Sequence, residues 1–545
     1  MYGTGCVVPP SASGTKRKAR PVTQTPTPAP AEASRKRFFG HPWGLSTLFM
    51  TEMWERFSYY GMKAILLYYM YYQAAHGGLG LDKNLAMSLV SIYGAALYMS
   101  GIAGGWVADR LLGARRSITW GCVLIMFAHV ALAVPGGGPL ALYLSMILLV
   151  MGTGLLKPNI TKNVGDLYEE GDDRRDAGFT LFVMGVQVGS FLSPIIVGDV
   201  LTSPNESSAA GNHFHWGFGA AAVGMAIGLA QYLLRARRTL GEAGLKTPNP
   251  LEPRDRARVY GAISGGLLVL ALVIGALVAT GHFSADGVVN AVSILALVVP
   301  AAYFWVMLRS RKVTPAERGR VLAFIPLFIA MVVFWFIEEQ QFTIMASYAD
   351  QQTDLNAWGF HLDPTLVQTI NPVIMLVVAP VLAVLWTKSS RQPHAPRKFA
   401  IGLVLTGAGF ALLFLPWLLH GAHTKVNPVW PLISLAVIAI GELFVNPVAL
   451  SVTTQLAPVA FASQVVGLNY ASDAAAQGLI AQISKFYSPA TSGPYFGIIG
   501  VLVVLLGVAL WFYAPMVYRR MISGDHDGSG TGGTGEPQAA SGTTS

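Results

Sequence analysis

The stretch TEMWERFSYYGMKAILLYYMYY, which begins at Thr51, sets two carboxylates, Glu52 and Glu55, beside two cations, Arg56 and Lys63, inside a run otherwise apolar enough to cross a bilayer. On a helix, Glu52 and Glu55 precede Arg56 by four and three positions, Tyr59 and Tyr60 follow it at three and four, and Lys63 lies four beyond Tyr59. All of them share one polar stripe. An ion at mid-bilayer costs about 2.5–3.5 kcal/mol on insertion scales, so the stripe must face partner charges or a watery chamber. Buried acids beside buried bases can trade protons and grip charged solutes. The other face of the helix, with Met53, Phe57, Ala64 and Leu67, is as apolar as a lipid-facing surface, which argues against a solvated amphipathic helix.

Few other charges interrupt apolar runs. They are Lys157 in GTGLLKPNITKN, Glu338 and Glu339 in FWFIEEQQF, Glu442 in GELFVNPVALS, and Asp473. Counting from expected helix ends at about 1.5 Å per residue places Lys63 level with Glu339 toward the outer side, and Lys157 level with Glu442 toward the inner side. Two ion pairs between the halves of the chain follow, one above and one below a central chamber. Protonating the acid of such a pair releases its partner, which makes a proton-sensitive gate. Prolines follow Lys157, Ser193, Asn371 and Asn446, freeing backbone carbonyls beside polar side chains where a helix can bend or bind.

The elements that must position these groups are membrane spans. With 53% hydrophobic and 12% charged residues, the 545-residue chain holds more apolar side chains than a soluble surface could hide. Runs of roughly 20 apolar residues give about fourteen spans between Phe39 and Tyr518, so the chain is an all-α polytopic membrane protein. Six spans precede a basic, proline-containing loop, two follow it, and six more come after a second basic loop. That order predicts two six-helix bundles, residues 38–238 and 321–520, joined by residues 239–320 with two inserted helices of lipid-facing scaffold. Residues 1–37 and 521–545 read as disordered tails.

Lys and Arg cluster in alternate loops, so both termini are expected in the cytoplasm, and the net charge of +9 reflects topology rather than a nucleic-acid surface. Cys6 and Cys122 offer neither a disulfide framework nor a thiolate metal site. Neither H-E-x-x-H nor G-x-S-x-G occurs, and His129 stands alone in an apolar span, so an enzyme is not expected.

The segment GGWVADRLLGARR, from Gly104 to Arg116, resembles the loop signature of the major facilitator superfamily, in which the Asp and Arg residues latch neighbouring helices. More specifically, GHPWGLSTLFMTEMWERFSYYGMKA resembles the first-helix signature of the proton-dependent oligopeptide transporter family, whose core is E-x-x-E-R-F-x-Y-Y. GTGLLKPN, FWFIEEQ, NPVIMLVVAP and GELFVNPVALSVTTQLAP agree, and the likeness extends from about Gly40 to Tyr518.

The resemblance implies a major facilitator fold of fourteen transmembrane helices and proton-coupled symport of di- and tripeptides into the cell by alternating access. Under it Glu52, Glu55, Arg56 and Lys157 couple protons, and Arg56 and Lys157 neutralise the peptide carboxylate. Glu442 receives the amino terminus with Asn371 assisting, Tyr60 and Tyr98 bond the peptide backbone, and Trp335 walls the pocket. Lys63 with Glu339, and Lys157 with Glu442, form the gates.

No cofactor is implied beyond the coupling proton, and the partners are peptide, protons and lipid, with no nucleic acid. A functional monomer in the bacterial cytoplasmic membrane is expected. The same machinery with nitrate, a drug or another small organic solute is the alternative cargo.

The chain departs from the family pattern at Val183, where a Tyr is usual, at Gln187, where the pattern has a carboxylate-assisting Asn, and at Asn469, where it has Trp. Ser91 stands where animal members carry His.

Overall fold

In hydrocarbon, backbone N–H and C=O groups can pair only within their own segment, so every long apolar run here becomes a helix. The computed structural model describes residues 37–522 apart from 170, 171, 173, 206–211, 283, 360, 389–391 and 423. Residues 1–36 and 523–545, nearly all of the two expected tails, lie outside the described residues, as does Cys6. In chain order the helices are α1 Trp43–Tyr71, α2 Lys83–Leu112, α3 Ala114–Ala133, α4 Gly138–Gly165, α5 Arg174–Thr202, α6 Phe214–Thr239, α7 Pro253–Ala279 and α8 Ala285–Arg309. They continue as α9 Pro315–Gln352, α10 Ile370–Lys388, α11 Ala395–His420, α12 Val429–Leu456, α13 Ala462–Ile483 and α14 Ser492–Ile522.

Twelve helical segments are long and apolar enough to cross a membrane by composition. The two that miss are α1, with its charges, and α13, with Asn469, Ser472, Asp473 and Gln477. Hydropathy alone therefore overlooks the helices that carry the most polar groups. An even number of alternating spans returns the chain to its starting face, called here the basic face because the arginine-rich loops gather there.

The apolar side of α1 meets protein: Phe57, Ala64 and Leu67 are buried, and α1 packs along α5 and α6. A helix whose polar stripe needs a chamber sits at the centre of its bundle, so protein covers both of its faces.

Among the described residues the inserted helices differ from each other. No described residue of α7 is buried, which fits a lipid-facing scaffold. By contrast, α8 buries Val289, Ser293, Ala296, Pro300, Phe304 and Met307, a stripe at helical spacing, and packs on both α2 and α13. The expectation of a wholly lipid-facing pair is thus corrected for α8, whose small residues let it approach its neighbours closely.

Local chemistry sets the helix ends and breaks. Asp82 caps α2 by accepting from Leu85 N, and Thr314 with Glu317 forms a capping box ahead of Pro315 at the start of α9. After Glu338, α9 tightens to a 3₁₀ turn over Glu339–Phe342 and resumes at Ile344. Pro158 lies inside α4, Pro447 inside α12, and Pro194 opens a π segment that ends α5. On the basic face Asp109 pairs with Lys162 of α4 at 2.7 Å, and Arg115 Nη2 donates to the carbonyl of Gly241 at 2.6 Å.

Where α2 crosses α4, a Cβ added to Gly104 would lie 1.9 Å from the carbonyl oxygen of Gly154. Neither backbone can yield without shifting a whole helix. Gly104→Val is expected to lower thermal stability by on the order of 3 kcal/mol or to abolish the monodisperse peak in size-exclusion chromatography, whereas Gly101→Ala, which meets open space, leaves both unchanged.

Candidate functional site

Three side chains of α1 form a buried charged knot. Arg56 Nε lies 3.1 Å from Glu52 Oε1 and 2.6 Å from Glu55 Oε2, and Glu55 is wholly buried. Arg56 Nη2 has no hydrogen-bond partner although it is buried, so the guanidinium keeps a donor for something not yet bound. Beside it, Lys157 comes from α4 one residue before the Pro158 kink, with its ammonium 4.7 Å from the ring centre of Tyr98 and 5.9 Å from that of Tyr470. Among the described residues no carboxylate lies within ion-pair distance of it.

Acids dominate the facing half. Asn371 Nδ2 donates to Glu442 Oε2 at 2.8 Å and to Glu338 Oε1 at 3.2 Å, and Asn446 Nδ2 donates to Glu442 Oε1 at 3.0 Å. Gln341 donates to Glu338 as well. One amide thus holds two carboxylates side by side. The expected Lys157–Glu442 ion pair is not formed in this structure: the amides of Asn371 and Asn446 occupy the Glu442 oxygens, and Lys157 lies on an aromatic face across the chamber.

Between these groups lies a cavity of about 260 Å³. That is a little below the roughly 300–1,000 Å³ common for small-molecule sites, which suits a short ligand. Arg56, Tyr60, Tyr98, Lys157, Gln187, Trp335, Asn371 and Glu442, the residues expected to bind substrate, all line it, together with Glu52 and Glu339. Glu55 and Lys63 do not reach its wall. Glu338, Asn446, Asn469, Tyr470 and Asp473 line it too. Glu338 and Asp473 carried a signal in the sequence, a charge within an apolar run, and Asn446 stands immediately before the proline of α12.

Toward the face opposite the basic one, the halves are stitched together. Lys63 Nζ meets Glu339 Oε2 at 2.7 Å, both side chains buried, and sits 3.8 Å above the ring of Phe342. This is the upper pair that helix counting placed at one height. Beyond it Tyr68 donates to the Ala346 carbonyl at 3.2 Å, and Tyr71 and Tyr72 donate to the two oxygens of Asp350 at 2.5 and 2.8 Å. Asp350 escaped the sequence reading; its signal was an acid near the end of α9 opposite the tyrosine-rich end of α1. Further out, Thr365 packs on Gly198 and reaches the Pro194 carbonyl at 3.5 Å. Asp363, in the loop ahead of α10, accepts from Thr365 N and Oγ1, and burial pushes its carboxyl up to about 7.

A family model described as PTR2, POT family, matches residues 115–501. An uncharacterized transporter, YclF, of Bacillus subtilis (strain 168) is 44% identical over 490 residues, covering 89% of this chain and 96% of that protein. A di-/tripeptide transporter of Lactococcus lactis subsp. cremoris is 43% identical over 498 residues, covering 90% of this chain and 98% of its own length. Among solved structures, a peptide transporter POT in complex with sulfate superposes with a TM-score of 0.86 at 48% identity, covering 90% of this chain and 98% of that one. A POT family transporter in complex with 5-aminolevulinic acid gives 0.83 at 40%, covering 89% and 98%.

Removing one member of a buried ion pair strands the other. Lys63→Met is therefore expected to cost about 3–5 kcal/mol in thermal unfolding, and Lys63→Met with Glu339→Leu much less; equal losses in the two would show that the pair is not the unit. For Asp363 the folded-state value is raised above the ordinary 3.8, so its contribution is fully present below the ordinary value and is lost as pH rises toward about 7. Asp363→Asn cannot ionise, and its melting temperature should exceed that of the wild type at neutral and alkaline pH, with the difference shrinking as pH falls from about 7 toward the ordinary carboxylate value and vanishing below it.

Proposed function

The chain belongs to the POT family, and from that premise we propose that it carries di- and tripeptides into a bacterial cell in company with protons. One observation carries the reading: at the centre of the bundle Glu52, Glu55, Glu338, Glu339, Glu442 and Asp473 share the cations Arg56, Lys63 and Lys157. Carboxylates in excess of cations are tolerated in a low dielectric only when protons or a cationic ligand balance them. A peptide zwitterion brings an ammonium group, and the proton gradient brings the rest.

In this reading the free Nη2 of Arg56 and the ammonium of Lys157 take the peptide carboxylate. Glu442, held by Asn371 and Asn446, takes the amino terminus. Tyr60, Tyr98 and Trp335 wall the space between, and Gln187 adds an amide near the carboxylate end. Fixed charges at the two ends with aromatic walls between them tolerate many side chains.

Alternating access follows from bonds that change partners. A proton on Glu339 removes the charge that holds Lys63, and the face closed by Lys63, Tyr71 and Tyr72 can then part. A peptide carboxylate that engages Arg56 weakens its hold on Glu52 and Glu55, which accept protons in turn. Residues 38–238 and 321–520 act as the rocking units, with residues 239–320 between them. By the positive-inside rule the basic face is read as cytoplasmic, with both termini on that side, and the state described is then the one closed to the outside. The chamber is complete within one chain, which fits a functional monomer.

In proteoliposomes, an inward proton gradient should raise dialanine uptake, and Lys157→Ala or Glu442→Ala should cut uptake at least tenfold, the loss of a buried charge partner being worth about 2–5 kcal/mol. Glu52→Gln with Glu55→Gln should keep dialanine counterflow while losing the response to the gradient. Wild-type gradient-driven uptake in the Lys157 and Glu442 variants, or competition by nitrate as strong as by dipeptide, would overturn the assignment.

A further inference from the structure

The reading above gives no task to Asp473. It projects from α13, is 3% exposed, and lines the same cavity as Lys157 and Tyr98. Its Oδ1 is buried with no hydrogen-bond partner. A carboxylate oxygen in that condition calls for a donor.

Of the two cations that line the cavity, Arg56 and Lys157, Lys157 is the one with no carboxylate within ion-pair distance among the described residues, and its ammonium lies 4.7 Å from the ring centre of Tyr98 and 5.9 Å from that of Tyr470. Tyr470 belongs to the same helix as Asp473, so the ammonium already rests against the element that carries the acid. The lysine stem is flexible, so a change of rotamer exchanges the ring for Asp473.

Each element packed near Asp473 bears on its charge. Helix α2 brings Tyr98, α9 brings Glu338 and Glu339, and α12 brings Glu442. Across the chamber stand Glu52, Arg56 and Lys63 of α1 and Lys157 of α4. At its contact with α13, α8 presents Ser293 and Ala296 and nothing ionisable. Glu339 is already matched by Lys63, and Arg56 by Glu52 and Glu55, which leaves Lys157 as the cation without an acid.

We propose that Asp473 is a built-in rival of the peptide carboxylate for Lys157. When the chamber is empty and Asp473 is ionised, it draws the ammonium and preserves charge balance. When Asp473 takes a proton from chamber water it lets the ammonium go, and the peptide carboxylate takes its place. Because one half of the protein supplies Lys157 and the other Asp473, the exchange also links ligand binding to contact between the halves.

This inference rests on the assignment of Lys157 to the peptide carboxylate, and its test separates the two. Binding of dialanine and of dialanine amide, which lacks the carboxylate, is measured on the purified full-length protein at neutral and mildly acidic pH. Asp473→Asn should tighten dialanine about five- to tenfold at neutral pH, change it little in acid, and leave the amide alone; Asp473→Glu should behave as wild type. An Asp473→Asn protein that shifts both ligands equally, or neither, while the wild type still prefers acid to amide, overturns the rivalry and leaves the Lys157 assignment standing. A wild type indifferent to the carboxylate overturns both. If Asp473→Asn does not fold, Asp473→Ser is read in the same way. Independently of any variant, the wild-type preference for acid over amide should widen as pH falls, and a preference that does not vary with pH also defeats the proposal.

Discussion

A charge removed from water must be answered inside the protein, and this chain answers its buried charges incompletely. Arg56 touches two carboxylates, Lys63 touches one, and Lys157 rests on a ring. Glu338 and Glu442 lean on amides, with Asn371 shared between them, rather than on a cation. Perfect matching would give a rigid core with nothing left to bind. In the proposed reading the shortfall is what lets protons and a zwitterion complete the set, and the remaining architecture keeps that shortfall central and shared by both halves.

Backbone geometry delivers the acids to different tasks. The tightening of α9 after Glu338 separates two consecutive glutamates, so that Glu338 joins Asn371 in the chamber while Glu339 meets Lys63 on the closure. In a continuous helix adjacent side chains already diverge, and the tighter turn adds to that divergence while leading the chain into the segment that carries Asp350. The proline kinks act in the same way on the cation side: Pro158 weakens α4 next to Lys157, at the depth where the helix must bring an ammonium to the chamber.

Much of this was legible in the sequence because buried charges are costly and therefore rare. The stripe on α1, Lys157, Glu339 and Glu442 all announced themselves as charges within apolar runs, and helix counting alone set Lys63 beside Glu339. What could not be read was which of several acids a cation would choose, since that depends on side-chain rotamers and on whether the halves stand open or closed. Lys157 was paired with Glu442 by height, yet two asparagines had satisfied that carboxylate. Hydrogen bonds made by uncharged groups left fainter traces still: Tyr71 and Tyr72 on Asp350 need a partner hundreds of residues away. The burial of α8 against both halves was hidden for a similar reason, because a stripe of Val, Ser, Ala and Pro looks the same whether it faces lipid or small-residue neighbours.

The closure opposite the basic face includes a buried ion pair, tyrosine hydroxyls and one close glycine contact, beside the stacking of Tyr60 on Phe342. That composition suits a surface that must separate repeatedly. Dispersion and hydrophobic burial cannot be switched by a proton, whereas a hydrogen bond is worth about 1 kcal/mol net and an ion pair vanishes when its acid is protonated. Moving a two-state equilibrium from one side to the other takes about 5.5 kcal/mol of differential binding. A few bonds of this kind, made on one face as they are broken on the other, are of that order, so in the proposed cycle a proton and a peptide together suffice to turn the molecule over. A closure sealed by apolar packing would need a far stronger ligand to open it.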